Sequence, residues 1–307
     1  MKKFALITAI AAAVSAPAMA EKTPSDVLDL SCWKVTLPVS LTGGDRPTEF
    51  SEKEIAEGAS NSDYFFVNEA GDGVVFRSPI AGVKTSENTK YIRSELRQMM
   101  RCGDTSISTR GINKNNWVVD TATESNQEKA GGVNGKMSVT ISVDEVTTTG
   151  VDWQIGRTII GQIHGEHDEP VKIMYRKMPH WNTGSIYLLI EPERDSGLRV
   201  HGDILLPLIG DPRPTFWRNG EKQTPKTMDH GVALGEKFSY EIDYSGNDLT
   251  VTFDIEGRDQ ISQTVDMRNY GYENDWFYFK AGNYIQNRTG EADEITQVTI
   301  YDLKLEH

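Results

Sequence analysis

From Trp33 to Leu305 the apolar residues recur mostly with a period of two rather than 3.6. That period fits strands whose alternate side chains enter a core, and it leaves little room for amphipathic helices. Runs rich in β-branched and aromatic residues at 33–37, 136–143, 154–163, 171–175, 185–190, 238–244, 249–255, 276–279 and 297–305 carry the pattern. Turn signals separate them: Asn-Gly at 134–135 and 219–220, Thr-Gly at 183–184, Ser-Gly-Asn-Asp at 245–248 and Glu-Gly at 256–257,. Many short strands at such intervals predict an all-β fold, a sandwich or jelly roll of antiparallel sheets. The clearest helical signal is Ser51 with Glu54 three residues on, a capping pair that predicts a short helix over 51–57. The stretch 210–230, with Pro212, Pro214 and Pro225, reads as a long loop of the kind that edges a binding groove,. No repeat, low-complexity tract or linker divides the chain.

Residues 1–20 read as a signal peptide. Lys2 and Lys3 precede an apolar run from Phe4 to Val14, and Ala18-Met19-Ala20 offers a small-x-small cleavage pattern,. Cleavage after Ala20 leaves 21–307 as one soluble domain in the periplasm or outside the cell. That compartment is oxidising, so Cys32 and Cys102 favour one disulfide, with two free buried thiols as the alternative,. The formal charge is -13, and loss of Lys2 and Lys3 takes it to about -15. Such a surface disfavours nucleic acid and anionic membranes as partners. An anionic polymer would have to meet a local basic strip that outweighs the global field.

Three segments place polar and charged groups at alternate strand positions. In Tyr91-Ile92-Arg93-Ser94-Glu95-Leu96-Arg97, the side chains of Arg93, Glu95 and Arg97 share a face,. Alone, that ladder is either a solvated ion-pair strip or part of a site. Gln162 and His164 likewise point one way, with Ile163 inward. In the third segment, Tyr278-Phe279-Lys280-Ala281-Gly282-Asn283-Tyr284-Ile285-Gln286, the alternate residues Tyr278, Lys280, Gly282, Tyr284 and Gln286 line one face. Gly282 removes a side chain there, as if to let a ligand approach the backbone.

Together these segments resemble the three signature regions of alginate lyases of polysaccharide lyase family 7: Arg-Ser-Glu-Leu-Arg, Gln-Ile-His and Tyr-Phe-Lys-Ala-Gly-x-Tyr-x-Gln, in family order. Weaker similarity at 33–38 and 298–305 extends the resemblance over essentially the whole chain beyond residue 20. Asn283, where the family often has Val, is a mild departure. The resemblance implies a β-jelly roll with a concave substrate groove, and β-elimination of a 4-linked uronate chain. It assigns Arg93 and Gln162 to neutralise the carboxylate, His164 to take the C5 proton, and Tyr284 to protonate the leaving O4. For the epimer whose proton and leaving group share a side, Tyr284 as a phenolate would serve as base and acid. Arg97, Lys280 and Gln286 become substrate-binding candidates, and Glu95 orients Arg93 or Arg97. Gln-Ile-His, rather than Gln-Val-His, leans the expectation toward guluronate-containing or mixed blocks.

Rival readings place the chemistry elsewhere. A glycoside hydrolase needs two carboxylates flanking the scissile bond, for which Glu241 and Asp243 are the nearest strand pair. A non-catalytic carbohydrate-binding sandwich needs arginines and aromatics but no aligned His and Tyr. A metal site at His164, Glu166 and His167 is disfavoured because strand geometry sends the two histidines to opposite faces. The expectation is therefore a monomer acting on alginate without a cofactor or metal.

Overall fold

Alternation becomes two antiparallel sheets packed face to face in the computed structural model, which describes residues 22–194, 196–198, 202–213, 216–218, 221–223 and 230–307. The expected signal peptide and its cleavage point lie outside the described residues. One sheet has eight strands, in the order Ile204–Ile209, Ser185–Ile190, Val171–Arg176, Arg157–His164, Tyr278–Ile285, Arg93–Gln98, Trp33–Thr36, Glu49–Phe50. The other has seven: Ile261–Asp266, Asp248–Asp254, Phe238–Ser245, Gly135–Glu145, Ile295–Glu306, Val74–Pro79, Phe65–Val67. Strands far apart in sequence lie side by side, and the architecture is a β-jelly roll. Its topology brings the three signature segments together, with Tyr278–Ile285 hydrogen-bonded on one edge to Arg93–Gln98 and on the other to Arg157–His164.

The core lies between the sheets. Leu96, Ile163, Ile173 and Leu188 enter it from the eight-stranded sheet, and Val139, Tyr240, Val251 and Ile300 from the seven-stranded one. Burial of such side chains supplies about 1.5–3 kcal/mol each. Their alternation fixes the register, because a one-residue slip would turn the outward polar set into the core.

Two polar devices cross that core. Asn283, fully buried, accepts from Thr158 Oγ1 at 2.7 Å and Thr296 Oγ1 at 2.9 Å, and donates to the Phe76 and Thr296 carbonyls at 3.2 and 2.6 Å. It thus ties both sheets at the strand that carries Tyr284. Tyr240 reaches from the seven-stranded sheet to donate to the Ile160 carbonyl at 2.8 Å, beside the point where the register of Arg157–His164 shifts. A Cβ on Gly161 would sit 2.3 Å from the Tyr240 hydroxyl, so only glycine admits this contact.

Cys32 and Cys102 are joined in a disulfide. The helix expected over 51–57 is Glu52–Ala56, with Ser51 as cap and the reciprocal Glu54 bond. A second short helix, Glu124–Lys129, and the strand Val74–Pro79 gave no signal that singled them out. The stretch 210–230 is not all loop, since Phe216–Arg218 pairs with Glu221–Gln223 around the Asn-Gly at 219–220; residues 214, 215, 219, 220 and 224–229 lie outside the described residues. No helix among the described residues is long and apolar enough to cross a membrane.

Candidate active site

The outward face of the three central strands is organised around one buried carboxylate. Glu95, 1% exposed, receives Arg93 Nη1 on Oε2 at 3.0 Å, Lys280 Nζ on the same oxygen, and Gln162 Nε2 on Oε1 at 2.5 Å. Register explains the convergence: Glu95 faces Gly282, and Lys280, two residues from Gly282, faces Arg97 on one side and Gln162 on the other. Burial works to raise the Glu95 pKa, but the charges and hydrogen bonds of Lys280 and Arg93 outweigh it and hold the carboxylate ionised,. The Lys280 ammonium is brought down to about 8, chiefly by burial and then by Arg93, with Glu95 opposing.

His164 closes one end of the set. Its ring stacks on Tyr278, centroids 5.0 Å apart and planes 12° apart. Its Nδ1 lies 2.7 Å from the Gly165 carbonyl, which can only accept, so the proton is on Nδ1 and Nε2 carries the lone pair,. Burial, then the charges of Lys280, Arg93 and Arg97, push the imidazole to about 3, against the pull of the Gly165 hydrogen bond. The ring is therefore neutral across the physiological range. The turn after it is anchored by Asp275, whose carboxylate accepts from Glu166 N at 3.1 Å and Trp276 N at 2.7 Å.

Tyr284 stands opposite Arg93, whose guanidinium lies 3.7 Å from the centre of the phenol ring. Burial raises the phenol pKa and prevails over Arg93, which lowers it. The free protein thus holds Tyr284 protonated. Tyr284 also feels Glu169, the carboxylate whose Oε1 is 3.4 Å from His164 Nε2, so phenol and imidazole share one electrostatic space.

Arg97 does not use Glu95. It covers the Tyr278 ring at 4.0 Å and donates to the Thr109 carbonyl at 2.6 Å, so the carboxylate orients Arg93 alone of the two arginines. Gln286, 9% exposed, turns its amide onto the carbonyls of Tyr284 and Ile285, at 3.4 and 3.2 Å. Gly282 has a reason other than ligand access: at φ +132 its Cβ would meet the Ser94 carbonyl at 2.8 Å and Phe76 in the core at 3.3 Å. Polar atoms stay unused in the buried set: the donors Arg93 Nε and Arg97 Nε and the acceptor Gln162 Oε1 have no partner.

Sequence reading missed Glu169, which lies past the end of the histidine strand, in a turn that brings it back to His164. It also touches Lys172, at 3.6 Å, and Lys172 is further held by Glu191 at 2.6 Å and Asp203 at 3.1 Å. Only spatial pairing of Lys172 with Gln162 reveals this cluster. Glu241 and Asp243, the pair a hydrolase would need, lie on the other sheet and share Lys136 at 3.3 and 3.1 Å, an ordinary half-exposed ion cluster. His167 is exposed, and among the described residues no three His, Cys, Asp or Glu side chains gather as metal ligands would. Asn287, in the Asn-Arg-Thr sequon, is 1% exposed and bonded to Thr147 and Thr149.

A family model described as alginate lyase matches residues 28–307. An alginate lyase of Klebsiella pneumoniae is 48% identical over 286 residues, covering 92% of this chain and 91% of that protein. The crystal structure of the alginate lyase from Klebsiella pneumoniae superposes with a TM-score of 0.88 at 47% identity, over 93% of this chain and 99% of that one. An exolytic family 7 alginate lyase from Zobellia galactanivorans shares the fold at 22% identity, with a TM-score of 0.69 over 92% of this chain and 97% of that one.

Proposed function

This chain belongs to the alginate lyases of polysaccharide lyase family 7, and from that premise we propose that it cleaves guluronate-containing or mixed stretches of alginate by β-elimination across Arg93, Gln162, His164 and Tyr284. Residues 21–307 form the catalytic domain, and residues 1–20 direct it to the periplasm or beyond. The observation that carries the reading is a neutral imidazole with its lone pair on Nε2, set beside cations gathered on one buried carboxylate.

The C5 proton of a uronate is weakly acidic, and its removal turns the adjacent carboxylate into a dianionic enolate. Fixed positive charge and N–H donors aimed at that carboxylate lower the barrier, because a dry site need not reorganise as the charge grows. Arg93 keeps donors that Glu95 does not use, and Gln162 has a second N–H beyond the one given to Glu95. His164 Nε2 takes the C5 proton. In the free protein its basicity is suppressed, partly by Lys280, Arg93 and Arg97; an arriving carboxylate offsets those charges and raises it. The C5–H electron pair forms the C4=C5 bond, O4 departs with the C4–O4 pair, and the protonated Tyr284 supplies its proton. The guluronate lean rests on Gln162-Ile163-His164.

Incubation with alginate should release oligosaccharides that absorb in the ultraviolet through the new double bond, fastest on guluronate-rich or mixed blocks. Tyr284→Phe and His164→Ala should each lower kcat by about 10²–10⁴-fold, the range for loss of a positioned acid or base. A saturated product, or a Tyr284→Phe variant with undiminished turnover, would refute the mechanism.

A further inference from the structure

We propose that Arg157, Arg288 and Trp153 form a distal subsite that holds the carboxylate and one face of a uronate ring beyond the ring cleaved beside Tyr284; this rests on the alginate-cleaving reading above and extends it to recognition of chain length.

The register shift near Ile160 turns Ile159 outward to pack with Tyr187 and Tyr284, and brings Arg157 next to Arg176 on the neighbouring strand. Arg157 is held by neutral partners only, donating Nε to the Tyr187 hydroxyl at 3.0 Å and Nη1 to the Trp153 carbonyl at 2.9 Å. Arg288 is exposed, with its backbone N–H on Gln154 Oε1 at 2.9 Å and its guanidinium 6.0 Å from the Tyr91 ring. Among the described residues neither arginine makes an ion pair. In a chain of net charge -13, Arg157 beside Arg176, with Arg157 and Arg288 both acting on Tyr91, forms a built anion site without an ion-paired carboxylate; Asp152 gives Arg176 its backbone carbonyl and only a through-space charge,.

Two features say that the anion is a sugar acid continuous with the cleft. Trp153, whose carbonyl holds Arg157, leaves 53% of its surface exposed, a flat apolar face of the kind that covers the C–H face of a pyranose,. The site also adjoins the catalytic tyrosine: Tyr91 stands edge-on to Tyr284, centroids 6.4 Å apart, and Gln286, two residues past Tyr284, donates its N–H to the Arg157 carbonyl at 2.9 Å. A ring at Trp153 therefore belongs to the same polymer as the ring at Tyr284. Arg157 supports Trp153 and Tyr187, so its removal risks the local fold, whereas Trp153 and Arg288 are exposed and replaceable.

The test compares kcat/KM on alginate trimer and hexamer for wild type, Trp153→Ala and Arg288→Ala, with thermal melting to verify folding. Each variant should cut the hexamer-to-trimer ratio about tenfold, the worth of one charge-assisted or stacking contact, and Arg288→Glu should cut it further. An unchanged ratio in both folded variants overturns the subsite. A wild-type protein that makes no unsaturated product from either oligomer sinks the underlying lyase reading and the subsite with it.

Discussion

Replacing Glu95 by Gln keeps the shape of the site and removes the charge on which it is built. Arg93 and Lys280 then lose their shared ion-pair partner, since both use Glu95 Oε2, and keep the weaker pull of Glu169. Breaking a buried pair by removing one partner costs roughly 3–5 kcal/mol. Lys280 has an escape that Arg93 lacks. Burial and Arg93 already bring its pKa down to about 8, with Glu95 holding it up, so without Glu95 it falls further and Lys280 sheds its proton near neutrality. The sign follows: a lysine whose folded pKa lies below its unfolded value of about 10.4 binds more protons unfolded, so stability rises with pH from the folded pKa upward. In Glu95→Gln that rise begins at a lower pH than the wild-type value of about 8. The deficit relative to wild type should therefore be greatest near pH 6 and smaller by pH 8, each unit of pKa difference being worth about 1.4 kcal/mol. Urea denaturation at the two pH values measures it. The same change frees the Gln162 amide, which Glu95 fixes at 2.5 Å, and a misplacement of about 1 Å costs on the order of 10² in rate. A deficit that does not vary with pH, or a kcat within twofold of wild type, would refute the account of Glu95 as the hub.

Lys280→Arg should remove the alkaline fall in kcat/KM expected above about pH 8, because arginine keeps its charge where Lys280 loses it,; a pH profile on alginate at fixed ionic strength checks this. Asn283→Ala strands the Thr158 and Thr296 hydroxyls and two carbonyls in the core. At about 1–3 kcal/mol for each group left unsatisfied, and with partial rearrangement, a loss of roughly 3–5 kcal/mol in a denaturant titration is expected, with KM little changed in the fraction that remains folded.

Sequence alone displayed the fold where a strand has one wet face. Phe238–Ser245 and Asp248–Asp254 alternate cleanly and flank a Ser-Gly-Asn-Asp turn, so period and turn chemistry agree,. Val74–Pro79 is buried at all but one of its six positions, and a run without alternation leaves no period to read,. The candidate residues Arg93, Gln162, His164 and Tyr284 stood out in the sequence because polar residues recur at strand spacing where a sheet would otherwise want apolar ones. What escaped were relations between strands. That Glu95 serves Arg93, Lys280 and Gln162 but not Arg97 depends on pairing register, and Glu169 returns to His164 only through a turn. Gly282 was read in the wrong direction because its positive φ aims a would-be Cβ at the core rather than the cleft.

The acidic net charge and the anionic substrate are reconciled by how charge divides over the eight-stranded sheet. On the strands at 33–36, 93–98 and 278–285, Lys34, Arg93, Arg97 and Lys280 face two carboxylates, Glu49 and Glu95, each engaged in ion pairs. Across Gln162 and His164 the sign reverses, since Lys172 is surrounded by Glu169, Glu191 and Asp203. Burial and the neighbouring Glu169 raise the Glu191 pKa, while Lys172 opposes both. A polyanion is thus drawn to the cationic strands and repelled from the Lys172 end of the neighbouring strand, leaving its Arg176 end open to anions, and His164 sits beside the acidic end. Under the proposed mechanism, a carboxylate seated on the cationic flank would present its C5 proton toward the imidazole, with the field contributing to orientation alongside single contacts. Acids such as Glu241 and Asp243, on the outer face of the second sheet, lie across the core from the cleft, where solvent screening over about 8–10 Å keeps them from opposing the binding.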